Sequence, residues 1–160
     1  MLFTPESIDL ILSGKKVQTR RPVKPPEFGR MTPTLCTAPS VLQETGTRPG
    51  AVVIFNPDRA TFRLKWQVGR TYAVQPGRGK KAVAWIEITG IRCEQLTGIN
   101  DIGAALEGIQ YDPARESLCY GGMLLDGETA DKAYLNLWQS LYPKGDLSEL
   151  VWVLDFQVTS

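Results

Sequence analysis

The apolar positions of the chain open on a helical rhythm. Ile8, Ile11 and Leu12 recur at i, i+3, i+4 spacing after Thr4-Pro5-Glu6-Ser7. That spacing lines one helix face. Thr4 suits the N-cap, Pro5 the first helical position, Glu6 the positive helix end, and Gly14 a left-handed stop. Lys15 to Arg21 then reads as a polar turn entering a strand. Residues 22–50 hold six prolines among threonines and glycines, which argues against helix. So long a connection is either a flap over a site or a plain surface insertion.

Period-two alternation follows. Ala51–Phe55 and Thr61–Val68 read as strands around the turn Asn56-Pro57-Asp58. In the second, Phe62, Leu64 and Trp66 alternate with Arg63, Lys65 and Gln67, giving one buried and one basic face. Thr71–Gln75 and Ala82–Cys93 form a hairpin with the basic tip Pro76-Gly77-Arg78-Gly79-Lys80-Lys81. Trp66 and Trp85 sit inside apolar alternation and are assigned to the core rather than to stacking on a base, whereas Tyr72 and Tyr120 stay candidates for stacking.

Asn100–Gly108 predicts a short helix capped by Asn100, with Ile102, Leu106 and Ile109 inward and Gly108 ending it. Residues Tyr111–Glu128 read as loop. Thr129–Tyr142 is the clearest helix, with Ala133, Tyr134, Leu137, Trp138 and Leu141 on its apolar face. Leu150–Val158 closes the chain as a strand with Trp152, Leu154, Phe156 and Val158 on one side. Most strands are joined by turns, not helical crossovers. This predicts an α+β fold over residues 1–160, one domain, in which mixed or antiparallel strands curl into a small barrel with about three flanking helices.

Composition narrows the chemistry. At 42% hydrophobic and 22% charged, the 160 residues fit a globular domain with a sizeable core. The N-terminus has no basic stretch before an apolar run, and no segment approaches membrane-spanning length, so a cytoplasmic protein is expected. Cys36, Cys93 and Cys119 are odd in number and far apart, with no CxxC pair, and read as small apolar thiols. There is no histidine, which excludes Ser-His-Asp triads, Cys-His pairs and HExxH zinc sites. No metal or other cofactor is implied. Acid–base chemistry is left to Lys, Glu, Asp, Tyr or Cys.

Charge is unevenly spread. Residues 1–81 hold fourteen Lys/Arg against five Asp/Glu; residues 82–160 hold four against twelve. The imbalance points to a face that binds a polyanion, unless the two halves interleave and their charges mix. Gly77-Arg78-Gly79-Lys80-Lys81 is no Walker loop, because Val74 stands where its first glycine belongs and Lys81 where Ser or Thr belongs. Arg78, Lys80 and Lys81 read instead as phosphate contacts at a hairpin tip.

Gly14-Lys15-Lys16-Val17-Gln18-Thr19-Arg20-Arg21-Pro22 gathers four cations and a threonine in seven residues after a helix stop. Preceded by a helix opening on Leu2-Phe3-Thr4-Pro5-Glu6, it resembles the opening motif of ASCH domains, a family of PUA-like barrels. Three weaker features fit: the strand Ile86–Arg92 leading to Leu106-Glu107-Gly108, a helix with Leu137-Trp138, and the last strand Val151–Phe156. Val17 departs from the family's threonine, the family's central Gly-Asp strand is only echoed by Val68-Gly69-Arg70-Thr71-Tyr72, and the Pro-rich segment is long.

The resemblance implies a basic cleft that binds RNA or a modified nucleoside. It further implies that Lys16, Thr19 and Glu107 match the catalytic residues of members that hydrolyse N-acylated cytidines. A lysine base would have to be neutral, its pKa brought from about 10.4 towards about 7–8 by burial or by Lys15, Arg20 and Arg21 nearby. Thr19 would be the activated hydroxyl or would position water, and Glu107 would protonate the leaving amine or orient the substrate. In a regular strand residues 16 and 19 face opposite ways, so this reading needs a turn near Val17–Gln18. The plainer alternatives are a solvated phosphate contact for Lys16, a surface hydroxyl for Thr19 and an exposed helix-end carboxylate for Glu107. Arg20 and Arg21 suit two-pronged contacts to phosphate or carboxylate, or ion pairs with acids of the second half such as Asp155. Two functions stand: an RNA- or nucleoside-binding module, expected as a monomer, or an amidohydrolase of acylated nucleosides, with a small ribonuclease as its variant.

Overall fold

The computed structural model describes residues 1–24, 52–55 and 60–159. The greater part of the Pro-rich segment, the turn at residues 56–58 and Cys36 lie outside the described residues. Helix α1 covers Pro5–Leu12, where Thr4 Oγ1 accepts the Ser7 N–H at 3.3 Å. Ile8, Leu10 and Ile11 are buried, whereas Leu12 faces solvent. Strand β1 (Gln18–Pro22) follows, then β2 (Val52–Phe55), β3 (Ala60–Arg63), β4 (Thr71–Val74) and the long β5 (Ala84–Gln95). After a single 3-10 turn come α2 (Asp101–Leu106), the strands β6 (Ile109–Asp112), β7 (Ser117–Tyr120) and β8 (Met123–Leu125), helix α3 (Ala130–Leu141) and β9 (Leu150–Val158).

Strand β9 organises the molecule. It pairs antiparallel with β1 on one side and β5 on the other, in a sheet ordered β1-β9-β5-β4. Its residues 150–154 are all buried because both faces are covered. Trp152, Leu154 and Phe156 pack with Phe3, Ile8, Ile11, Ile86 and Ile88. Val151 and Val153 pack on the other face with Leu10, Tyr120, Tyr134 and Trp138. A strand buried on both sides carries a continuous apolar run, as here.

Strand β5 changes face midway. Ile88 pairs with Phe156 but Gly90 with Asp155, so Thr89 is an extra residue in a bulge. Ala84, Ile86 and Ile88 point inward before it and Cys93 after it. Gly90 leaves room for the Asp155 carboxylate at this point: a Cβ there would lie 2.9 Å from Asp155 Oδ2.

Several expectations are corrected. Among the described residues the strands form a four-, a three- and a two-stranded antiparallel sheet, and none closes into a barrel. Four strands are too few to close round a filled interior. The sheet is instead bridged at its open side: Phe3 N donates to Gln75 O at 3.0 Å, beside β4, and Arg21 Nη2 of β1 reaches Leu2 O at 2.8 Å. Residues 111–128, read as loop, form the meander β6-β7-β8. The strand expected over Thr61–Val68 ends at Arg63, though Leu64 is buried and Trp66 is packed against the core. Trp85 is 46% exposed, because Ala84 and Ile86 take the inward positions.

Of the stripe expected on α2, Ile109 is buried as expected but the other two residues face outward. Ile102 is 72% exposed and Leu106 also lies at the surface, while Gly103 and Ala104 are buried. Gly103 leaves room for Arg20, whose Nη2 would lie 3.1 Å from a Cβ there, and Ala104 belongs to the cluster of Tyr134, Leu137 and Trp138. Asn100 caps α2 as expected, accepting the Gly103 N–H at 2.8 Å. On α3, Ala133, Tyr134, Leu137 and Trp138 are buried as the pattern requires, but Leu141 is exposed, as is Val158 at the end of β9. Among the described residues no helix is long and apolar enough to cross a membrane.

Truncating Leu154 to Ala is expected to cost about 2–5 kcal/mol in urea unfolding, the usual range for a filled core position. Ile102→Ala should stay within about 0.5 kcal/mol. A large loss at Ile102 would mean that α2 docks on the face assigned here to solvent.

Candidate functional site

The site is assembled where α1, β1 and α2 meet. After Gly14 (φ 71°) the chain folds back on α1, and the N–H groups of Lys15 and Lys16 both donate to Leu10 O, at 2.9 and 3.0 Å. Val17 N then donates to Leu106 O at 3.0 Å, which ties this turn to the end of α2. The turn is the break in strand geometry that residues 16 and 19 needed, since β1 begins only at Gln18. Glu107 caps α2 and Gly108 (φ 108°) turns the chain away. A Cβ on Gly108 would sit 2.9 Å from Leu10 Cδ1 and 3.4 Å from Lys16 Cβ, so only glycine lets Glu107 come this close to Lys16.

Lys16 and Glu107 are 3% and 1% exposed. Lys16 Nζ lies 2.5 Å from Glu107 Oε2 and also donates to Glu107 O at 2.7 Å. Arg20 Nη1 lies 3.2 Å from Glu107 Oε1 and 2.7 Å from Gln18 Oε1, and Arg20 Nη2 lies 3.3 Å from Glu94 Oε2. Gln18 Nε2 donates to Asp155 Oδ1 at 2.6 Å, and Arg92 joins Asp155 and Glu94 at 2.7 and 2.6 Å. Burial alone would lower the Arg92 pKa, but hydrogen bonds and charge from Glu94 and Asp155 raise it above the usual value. The cations Lys16, Arg20 and Arg92 thus meet the carboxylates Glu94, Glu107 and Asp155 in one network.

A cavity of about 500 Å³ opens beside this network. Lys16, Thr19, Arg20, Arg21 and Glu107 all line it. Tyr120, Tyr134, Trp138 and Tyr142 line it as well, and Pro76 and Gly77 of the β4–β5 hairpin border it. Lys16 Nζ stands 5.7 Å from the Tyr120 ring centre and Arg20 Cζ the same distance from that of Tyr134. Tyr120 is held by a 2.6 Å hydrogen bond with Ser7 Oγ. The side-chain Nε atoms of Arg20 and Arg21 are buried with no hydrogen-bond partner among the described residues.

The structure therefore brings Lys16, Thr19, Arg20, Arg21 and Glu107 to one concavity. It does not bring Lys15, Arg78, Lys80 or Lys81 into it: all four are exposed. Glu107 is not the exposed helix-end carboxylate weighed as an alternative. Arg20 does pair with acids of the second half, but with Glu107 and Glu94 rather than Asp155. Sequence reasoning did not find Gln18, Tyr134 or Trp138 as site residues. The two aromatics carry a core signal on α3, and only the packing shows that one edge of that core is open. Among the described residues no group of three or more Cys, Asp or Glu could hold a metal ion.

Tyr134 reports on this environment. Burial first, and then the Glu107 carboxylate, push its phenol well above the usual value of 10.0. A pKa higher in the folded than in the unfolded chain gives stability that is whole below the unfolded value and lost as pH rises through the folded one. Wild-type stability should accordingly fall more steeply than that of Tyr134→Phe as pH rises from about 9 to about 12. Parallel pH–denaturation curves for the two proteins would contradict the placement of the phenol against Glu107.

No family model matches the sequence, and no curated protein does. Among solved structures, an ASCH domain from Lactobacillus crispatus JV V101 superposes with a TM-score of 0.44 at 20% identity, over 94% of this chain and 68% of that one. A protein of Enterococcus faecalis V583 from family DUF984 gives a TM-score of 0.48 at 13% identity, over 98% of this chain and 71% of that one.

Proposed function

We propose that this chain is an ASCH-type, PUA-like domain whose cavity binds a nucleoside, free or at an unpaired position of RNA. The observation that carries the reading is the mixed lining of the cavity, where the rings of Tyr120, Tyr134, Trp138 and Tyr142 stand together with the polar groups of Lys16, Thr19, Arg20 and Glu107. A volume of about 500 Å³ suits a single small ligand. Unpaired bases are recognised by stacking on aromatic rings and by hydrogen bonds to their edges, and this lining offers both. Lys15 and the hairpin cations Arg78, Lys80 and Lys81 lie outside the cavity and would serve the ribose–phosphate chain, as solvated backbone contacts do.

A second reading, amidohydrolysis of an N-acylated cytidine, is favoured by the Lys16–Glu107 contact. At 2.5 Å a proton has a direct path between Nζ and Oε2. If Lys16 passes its proton to Glu107, the free amine can take a proton from Thr19 or from a water held beside it. The hydroxyl oxygen then adds to the acyl carbonyl carbon. Glu107 returns the proton to the cytosine amine as the C–N bond breaks. Where water attacked, the carboxylic acid is released at once. Where Thr19 attacked, the acyl ester on Thr19 is hydrolysed by a water that gives its proton to Lys16. Either way acylated nucleoside and water give carboxylic acid and cytidine.

Three measurements test these readings. Titration with nucleosides at low salt should show binding, and its absence for all four would sink the proposal. For single-stranded RNA, changing Arg78, Lys80 and Lys81 together to Gln should reduce the slope of log affinity against log salt by about 2, near 0.7 for each phosphate that the tip no longer neutralises. For the hydrolase reading, wild type should release cytidine from N-acetylcytidine, and Lys16→Ala should slow this by at least about a hundredfold. Equal turnover by both proteins would remove Lys16 from the mechanism.

A further inference from the structure

We infer that the ligand of this cavity carries a phosphate, and that Arg21 binds it; the inference rests on the nucleoside-binding reading and narrows it to nucleotides. The balance of charge points to Arg21. Lys16 and Arg20 are each answered by a carboxylate within the network. Arg21 also lines the cavity, yet no carboxylate pairs with it among the described residues. It is held in place by neutral groups: Nη2 donates to Leu2 O at 2.8 Å, and Cζ stands 4.7 Å from the centre of the Phe3 ring. Its Nε is buried and unpartnered among these residues. A guanidinium positioned by a carbonyl and a ring, with no carboxylate and no partner for its Nε among the described residues, is prepared for an oxyanion that can accept two parallel bonds.

Position supports phosphate over another anion. Arg21 sits at the end of the cavity formed by Leu2 and Phe3, which are tied to Gln75 by the Phe3 N–Gln75 O bond. Gln75 leads directly into the hairpin whose Pro76 and Gly77 border the cavity and whose Arg78, Lys80 and Lys81 are exposed just beyond. Tyr120, Tyr134 and Trp138 line the same cavity beside Glu107. A base among those rings would direct its sugar towards Arg21, with the hairpin cations next along the chain. A doubly charged terminal phosphate and a bridging phosphodiester share this chemistry, and the measurement separates them.

The test compares affinities of intact protein for cytidine, cytidine 5′-monophosphate and the dinucleotide CpC by calorimetric titration, with parallel sets for the other bases. The monophosphate should bind at least about tenfold more tightly than its nucleoside, and Arg21→Gln should bring that ratio close to one. Arg21→Lys should leave it between the two, since a point charge lacks the fork. Lys132→Gln, which removes one cation from α3 outside the cavity, should leave the ratio as in wild type. A unit ratio in wild type, or the same fall in Lys132→Gln as in Arg21→Gln, would overturn the inference while the nucleoside reading stands. Absence of binding by nucleosides and nucleotides alike would overturn both. Tighter binding of the dinucleotide than of the monophosphate assigns Arg21 to a phosphodiester within RNA; the reverse order assigns it to a terminal phosphate. Melting curves of each variant confirm that the loss is not one of folding.

Discussion

A charged group taken out of water must be answered, and the fold of this chain is arranged around answering three cations at once. Lys16 and Arg20 are buried, and each would be prohibitively costly if left alone. Glu107 answers both, Glu94 is shared by Arg20 and Arg92, and Asp155 holds Arg92 and Gln18. The contributing residues come from the turn after α1, from β1, β5 and β9, and from the cap of α2. Apolar packing alone would allow β1 to slide against β9, because either face of β9 is hydrophobic. A paired network does not, since a slip of one residue would part Gln18 from Asp155 and Arg20 from Glu94 and Glu107. Such networks contribute less to net stability than to specifying one arrangement, and removing a single member costs more than the network is worth. Here that arrangement is also the floor of the cavity.

The portion of the site that could be read from sequence is the portion that is contiguous. Lys16, Thr19 and Arg20 lie together in the chain and carry the motif. Glu107 entered only through resemblance, and nothing in its own surroundings marks it, because a glutamate before a glycine at a helix end is ordinarily solvated. Gln18, Glu94, Arg92 and Asp155 join the network through strand register, which no local pattern encodes. The aromatic wall was concealed for a different reason: Tyr134 and Trp138 are spaced as core residues and are core residues. The marked charge difference between the two halves of the chain also resolves locally, as the network pairs Lys16 and Arg20 of the first half with Glu94 and Glu107 of the second.

The fold was legible where one periodicity ran uninterrupted. Helices α1 and α3 and strand β9 were recovered with most of their buried faces, Leu12, Leu141 and Val158 at their ends excepted, and β5 was recovered as a strand. What failed is instructive in each case. Strand β5 changes parity at Thr89, so alternation counted from one end gives the wrong face at the other. Helix α2 buries Gly103 and Ala104, which a hydrophobic count ignores, and exposes Ile102, which it favours. The meander β6-β7-β8 is built from strands of three and four residues, too short to show alternation. The barrel expectation assumed ladder pairing throughout, whereas the sheet's open side is spanned by the Arg21 side chain.

The register of β1 explains why polar chemistry and apolar stacking meet in one place. Phe156 N donates to Val17 O and Val23 N to Leu150 O, so the odd-numbered residues from 17 to 23 direct their backbone groups to β9. Gln18, Arg20 and Pro22 direct theirs to the free edge, where Pro22 has no N–H to leave unpaired. A cavity along such an edge receives side chains from both faces of the strand, which is how Thr19 and Arg20, adjacent in sequence, line it together. The two are not equivalent. Arg20 is bound into the charge network, so altering it disturbs the floor and the fold together. Thr19 is buried in the same lining but belongs to no ion pair. Of Lys16, Thr19 and Glu107, the three residues matched to catalytic positions, Thr19 is therefore the one whose chemistry can be separated from the architecture. A loss of function at Lys16 or Glu107 carries meaning only beside a measurement of how well the protein still folds.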